Sequence, residues 1–283
     1  QMGVFGEATF DLTEQFALTL GARYYDIEVD LKGSANSSFF NLGQTEDAQR
    51  AGTNISAQFA PDNTVGAPDK AATDGVIFKA TGTWKPTTDY LFYATYSEGF
   101  RPGLLNRPGG AAGPNGFTVP FALDTDDVQN YEFGWKTEFF DNSFRVNGSA
   151  FYVEVERLQT TIFDPSISNL FFSDNAANAE IKGVEGDFTW APYSVDGLTI
   201  AGAFSFLDTE VTKVLTPTDD VLVGSDLAYA PSFQGNLRAR YEWELSKQIG
   251  GSDLTAHIMP QIIFSDKAVS DIIEINKAQT DGY

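Results

Sequence analysis

Apolar and polar residues alternate with a period of two through much of the chain, the spacing that puts every second side chain on one face of a β-strand. From Phe233 to Leu245 one face reads Phe233, Gly235, Leu237, Ala239, Tyr241, Trp243 and Leu245. The other reads Gln234, Asn236, Arg238, Arg240, Glu242 and Glu244. Phe16, Leu18, Leu20, Ala22 and Tyr24 likewise oppose Thr19, Gly21 and Arg23, and Phe144, Val146, Gly148, Ala150 and Tyr152 oppose Arg145, Asn147 and Ser149. The pattern predicts ten strands, at 2–11, 15–32, 75–86, 89–101, 127–141, 143–164, 179–191, 197–213, 231–246 and 253–267, with an eleventh starting near Thr280.

The connections between these strands alternate in length. "DLTEQ", "KPTTD", "FDNSF", "APYSVDG" and "SKQIGGSD" are short and rich in turn formers, whereas long polar or glycine-rich stretches lie near 33–74, 102–126, 165–178, 214–230 and 268–279. In an up-and-down antiparallel sheet, odd connections share one end and even connections the other. Short turns on one rim, long loops on the other and strands longer than the roughly 9–11 residues that cross a bilayer are the pattern of an outer-membrane barrel. The fold class expected is all-β: part of an antiparallel up-and-down transmembrane β-barrel, with residues 1–283 forming part of one barrel domain.

Aromatic placement fits that reading. Trp84, Phe139, Trp190 and Trp243 each fall close to a short turn, where rings at a membrane interface are buried while their polar edges stay wet. In "YLFYATYSEGFRPG", Tyr90, Phe92, Ala94 and Tyr96 share the lipid face, and Pro102, which has no N–H for the next ladder bond, marks where regular pairing should stop. Aromatics at the rim of a soluble sheet are the alternative.

Composition sharpens this picture. The chain holds 24 Phe, 11 Tyr and 26 Gly against no Cys and two Met, a balance suited to glycine-punctuated strands and incompatible with a disulfide scaffold or a thiolate metal site. A net charge of −21 repels phosphate backbones and argues against nucleic acid as a partner. No apolar run of about 18 residues is present for a membrane-spanning helix. The chain opens on Gln1 with no charged-then-apolar signal segment, so a fragment or a processed chain is expected.

Little in the sequence points to catalysis. His257 is the only histidine and shares a face with Thr255, Met259 and Gln261, with no serine or aspartate at a spacing that would complete a hydrolase. Asp124, Asp126, Asp127, Asp219 and Asp220 are oxygen donors of the kind calcium takes, but match no EF-hand spacing and read as solvated loop charge. "GGAAGPNG", Gly109–Gly116, lacks the Lys-Ser/Thr of a phosphate cradle and reads as a mobile loop. No catalytic, cofactor or metal residues are assigned. Arg145, Arg238 and Arg240 fall on the lumen face, where they either pair with Glu132, Glu138, Glu242 or Glu244 or contact a plug or an anionic ligand.

Three segments also carry a family resemblance. "YATYSEGFRPGLLN" at 93–106, "VQNYEFGWKTEFFDNSFRVNGSAFY" at 128–152 and "AEIKGVEGDFTWAP" at 179–192 resemble barrel segments of TonB-dependent outer-membrane receptors, in the same order, and the likeness runs from about Gly3 to Tyr283. The resemblance implies a transporter in the bacterial outer membrane with no enzymatic step. It implies active uptake of scarce bulky nutrients such as ferric siderophores, cobalamin or glycans, with an iron chelate foremost. It further implies a plug inside a barrel of roughly 22 strands, and energy supplied through a TonB complex that engages an N-terminal box. The chain supplies about ten strands and no recognisable plug or box. A passive porin-type channel and a soluble all-β carbohydrate-binding or adhesive module are the alternatives.

Overall fold

The computed structural model describes residues 1–32, 36–37, 53–54, 67–106, 109–163, 171–216, 218, 220–249 and 252–283. Strands β1 (Met2–Asp11), β2 (Phe16–Asp30), β3 (Asn36–Ser37), β4 (Thr53–Asn54), β5 (Lys70–Trp84), β6 (Tyr90–Arg101) and β7 (Asp126–Phe139) are followed by β8 (Phe144–Ile162), β9 (Phe172–Trp190), β10 (Leu198–Val214), β11 (Phe233–Ile249), β12 (Ser252–Ile258), β13 (Gln261–Ser265), β14 (Ala268–Val269) and β15 (Gln279–Thr280). One sheet runs β1-β2-β5-β6-β7-β8-β9-β10-β11-β12, with β13 also on β11, and each of these pairs is antiparallel. β3 pairs with β4, and β14 with β15.

The sheet is the expected meander. Its short connections close through local polar bonds: the Thr13 hydroxyl accepts the N–H groups of Gln15 and Phe16 at 3.2 and 3.0 Å between β1 and β2. β12 and β13 hold one register on β11, Tyr241 facing Ile258 and Arg238 facing Gln261. They are separate strands because Pro260 between them has no N–H to donate. The last residues return along that edge, Thr280 against Ala268 and Tyr283 exchanging backbone bonds of 2.7 and 2.9 Å with Ser265, which is the expected start of a further strand.

Several strand boundaries differ from the sequence expectation. β5 begins at Lys70 rather than 75, and β9 at Phe172 rather than 179, so residues expected in long loops instead extend the wall. The segment "SDNAAN" has a turn-like composition, but its polar side chains serve neighbouring loops while Ala176 and Ala177 are fully buried. β9 therefore reaches 19 residues, equal to β8, which was expected at 143–164; each is about 60 Å at strand rise, well beyond a bilayer's hydrocarbon.

Alternation along the register sorts side chains into two faces. Phe16, Trp84 and Phe92 lie in contact on the outward face, and Tyr90, Phe139 and Phe144 continue the line of rings near the short turns, with Trp190 opposite Phe144. A second belt, absent from the sequence reading, crosses the sheet nearer the long loops. Tyr96, Tyr131 and Tyr152 stand in one register row on β6, β7 and β8, and their hydroxyls donate to Glu98, Gln129 and Glu154 at 2.7, 3.1 and 3.1 Å. The next outward row holds Glu98, Gln129, Glu154, Glu180 and Glu210, which marks where hydrocarbon must end.

Candidate functional site

The inward face is built from the other half of the alternation, and its polar side chains bond one another across strands. Thr9 meets Thr19 at 2.9 Å, Thr81 meets Thr95 at 2.9 Å, and the Asn130 amide donates to Ser97 at 3.4 Å. Arg145 pairs with Glu138 at 2.6 Å, and Asn147 donates to Asp187 at 3.2 Å. Lys79 reaches Glu7 at 3.3 Å across the intervening Gly21. Tyr93 donates to Glu132 by lying over Gly134, where a Cβ would fall inside the tyrosine ring. Together these bonds form a hydrophilic wall from β1 to β9, suited to a water-filled or plug-filled lumen and useless against lipid.

The three arginines singled out in the sequence all lie on the inward face, Arg145 on β8 beside the short turn and Arg238 and Arg240 on β11. Arg145 faces Glu138 and Thr189, and Arg240 pairs with Glu242 and faces Thr199. Arg238 faces Ala201 and Gln261. Two of the three are thus engaged by carboxylates expected as partners. Both pairs are substantially exposed to solvent, which keeps their contribution to stability small. His257 faces Glu242 across the β11–β12 ladder.

At the long-loop end, structure gathers residues that sequence spacing did not. The Asp126 carboxylate is 4% exposed and accepts three bonds from Arg101, from the backbone N–H at 2.7 Å and from the guanidinium at 2.8 and 2.6 Å. Gln159 directs its amide N–H groups at the carbonyls of Arg101, Pro102 and Asp124, at 3.2, 3.1 and 3.1 Å. A β-bulge with Arg157 at φ 55 swings that side chain to Asp127 and to the carbonyl of Thr125. Asp126 and Asp127 are therefore occupied by arginines rather than arranged for calcium, and no metal-binding group of acids and histidine occurs among the described residues. Asp219 lies outside the described residues. The Asp220 carbonyl accepts the Glu274 N–H at 2.7 Å.

The stretch Gly109–Gly116, expected as a mobile loop, is instead folded. Gly110 and Val119 bond through N–H to the carbonyls of Val119 and Ala111, each at 2.8 Å, and Gly113 bonds to Phe117 at 2.8 Å. Val119 is fully buried with Ile162, Phe172, Ala176, Ala177, Val211, Val221, Ile272 and Ile273 in one apolar cluster. Burial of each large side chain in it stabilises the arrangement by about 1.5–3 kcal/mol, which offsets the backbone freedom that the glycines give the loop.

A meander with a polar inner wall, an apolar outer band between aromatic belts and interlocked loops at one rim can be set against known proteins. Residues 1–272 match the family model described as TonB dependent receptor-like, beta-barrel. The chain belongs to the TonB-dependent receptor family. These receptor barrels sit in the bacterial outer membrane, and the family comprises transporters rather than enzymes. That assignment separates the chain from the porin and soluble-module alternatives.

Among curated relatives, the metal-pseudopaline receptor CntO of Pseudomonas aeruginosa is 24% identical over 236 residues, covering 82% of this chain and 27% of the relative. The probable TonB-dependent siderophore receptor PiuA of Acinetobacter baumannii is 26% identical over 147 residues, covering 51% and 18% respectively. Among solved structures, the yersiniabactin uptake receptor FyuA of Yersinia pestis superposes with TM-score 0.66 at 16% identity, over 99% of this chain and 36% of that receptor. The PiuA crystal structure gives TM-score 0.62 at 19% identity, over 99% and 35%. The chain thus spans about a fifth to a quarter of the curated relatives' length and about a third of the solved receptors.

Proposed function

We propose that the protein containing this chain takes up a scarce, bulky metal chelate, foremost a ferric siderophore, across the outer membrane, energised through a TonB complex. The observation that carries this reading is the receptor-family match over residues 1–272, on a wall whose inward face is polar and whose loop end is folded. The relatives named as siderophore and metal-pseudopaline receptors support the ligand class. In this reading the chain is one stretch of a larger barrel enclosing a plug, bounded by outer-membrane lipid on its apolar face. In this reading Arg145, Arg238 and Arg240 face the lumen, where they contact the plug or an anionic ligand.

The test is deletion of the gene encoding this chain, followed by uptake of radio-iron supplied as hydroxamate, catecholate and carboxylate chelates. The expected result is loss of uptake of at least one chelate, restored by the complete gene and abolished by a protonophore. Uptake unchanged for every chelate, or restored uptake that ignores the protonophore, would contradict active transport.

A further inference from the structure

We infer that the loop after β6, the loop after β10 and the segment after β13 form a fixed roof over the β7–β10 side of the lumen, so that ligand is admitted without their opening. This inference rests on the uptake reading above and concerns how the mouth works. Its location follows from register. Val128, Val155, Ala179 and Val211 occupy one cross-strand row on the same face as Glu185 and Ser205, the inward face. Val155, Ala179 and Val211 are 8%, 2% and 0% exposed, so the loops cover the inner side of the wall rather than lean outward.

Three independent ties hold the roof. An apolar cluster joins Val119 of the first loop, Val221 of the second and Ile272 and Ile273 of the third to Ile162, Phe172 and Val211 of the wall. Polar clamps fasten the loops to the strands: Asn106 exchanges bonds with the Ser173 backbone, Asn175 accepts the Asp124 N–H at 2.8 Å, Thr216 donates to Asp174 at 2.6 Å, and the Leu227 N–H reaches Thr209 at 3.0 Å. Finally, the loops bond one another, Glu274 to the Asp220 carbonyl at 2.7 Å and Tyr229 to the Val269 carbonyl at 2.7 Å. Opening any one loop would expose the shared cluster, and opening the second or the third would also break their mutual bonds, which makes independent lid motion costly.

The test links two roof segments that touch at their surfaces. The Ser225 hydroxyl lies 3.5 Å from a Glu274 carboxylate oxygen, and the chain contains no native cysteine. Ser225→Cys with Glu274→Cys in the complete receptor would be joined by dibromobimane, whose fluorescence reports the crosslink. Uptake of radio-iron desferrioxamine and radio-iron enterobactin would then be compared with and without crosslinking. The expected result is uptake within about twofold of the unlinked receptor, against a loss of about tenfold or more for a roof that must open. The larger loss overturns the inference.

If the unlinked receptor takes up neither chelate, the uptake reading is in question, and hydrogen exchange on the complete receptor decides the roof. The amides of Asn106, Gly110, Val119, Leu123, Gly224 and Glu274, each bonded to a carbonyl, should exchange about a hundredfold more slowly than unstructured chain, with or without either chelate. Exchange at the unstructured rate, or protection gained only when chelate is added, overturns the roof.

Discussion

Replacing Leu237 with arginine, and separately its neighbour Arg238 with leucine, tests the two-faced wall at a single peptide bond. Leu237 lies in the outward row of β11, four residues from Phe233 and six from Trp243, all three on one apolar face. At strand rise and a tilt of about 40°, those separations span about 26 Å of apolar face around Leu237, enough to cover a bilayer's hydrocarbon. An arginine there costs about 2–4 kcal/mol at the bilayer midplane, less near an interface, so about 3 kcal/mol is expected, or a folding constant lowered more than a hundredfold. Arg238 faces Ala201 and Gln261 on the hydrophilic side, so Arg238→Leu should stay within about 0.5 kcal/mol. The assay is a urea titration of the complete protein folded into phospholipid vesicles, with heat-modifiable gel mobility reporting the folded fraction. Equal costs for the two substitutions, or a larger cost for Arg238→Leu, would refute the assignment of faces.

Other consequences are equally concrete. Gly134→Ala drives a Cβ into the Tyr93 ring, so the ring must leave and its bond to Glu132 breaks; a loss of about 2 kcal/mol is expected in the same titration, with little change for Tyr93→Phe/Gly134→Ala relative to Gly134→Ala alone. Gly103→Ala overlaps the Leu123 carbonyl and should displace the loop after β6, read as faster proteolysis between 103 and 124 with the wall strands unaffected. Gln159→Leu leaves the carbonyls of Arg101, Pro102 and Asp124 without that donor, and local opening should become easier by about 2 kcal/mol, roughly thirtyfold faster amide exchange over the same loop. A loop whose exchange is unchanged in Gln159→Leu would remove Gln159 as a clamp.

How much was legible beforehand depends on the range of the interactions. The faces of β11 were readable because alternation is a property of adjacent residues: Leu237 and Arg238 diverge whatever the partner strands are. The salt bridge of Arg145 with Glu138 was also within reach, since a short turn between β7 and β8 fixes which residues meet. Gln159 was not, because its acceptors lie 58, 57 and 35 residues away and nothing near it in the chain signals them. The upper tyrosine belt escaped for a similar reason: Tyr96, Tyr131 and Tyr152 form a row only once the register of three strands is known.

The sequence by itself determined a strand-built wall with one greasy and one polar face, short turns at one rim and long connections at the other, since all of these follow from side-chain period and turn chemistry. Only the tertiary structure decided where β5 and β9 extend past the membrane, that the glycine-rich loop after β6 is folded rather than free, and that Asp126 and Asp127 belong to arginines. Those outcomes depend on apolar burial and hydrogen bonds between segments distant in sequence, whose partners are settled by register and not by local composition.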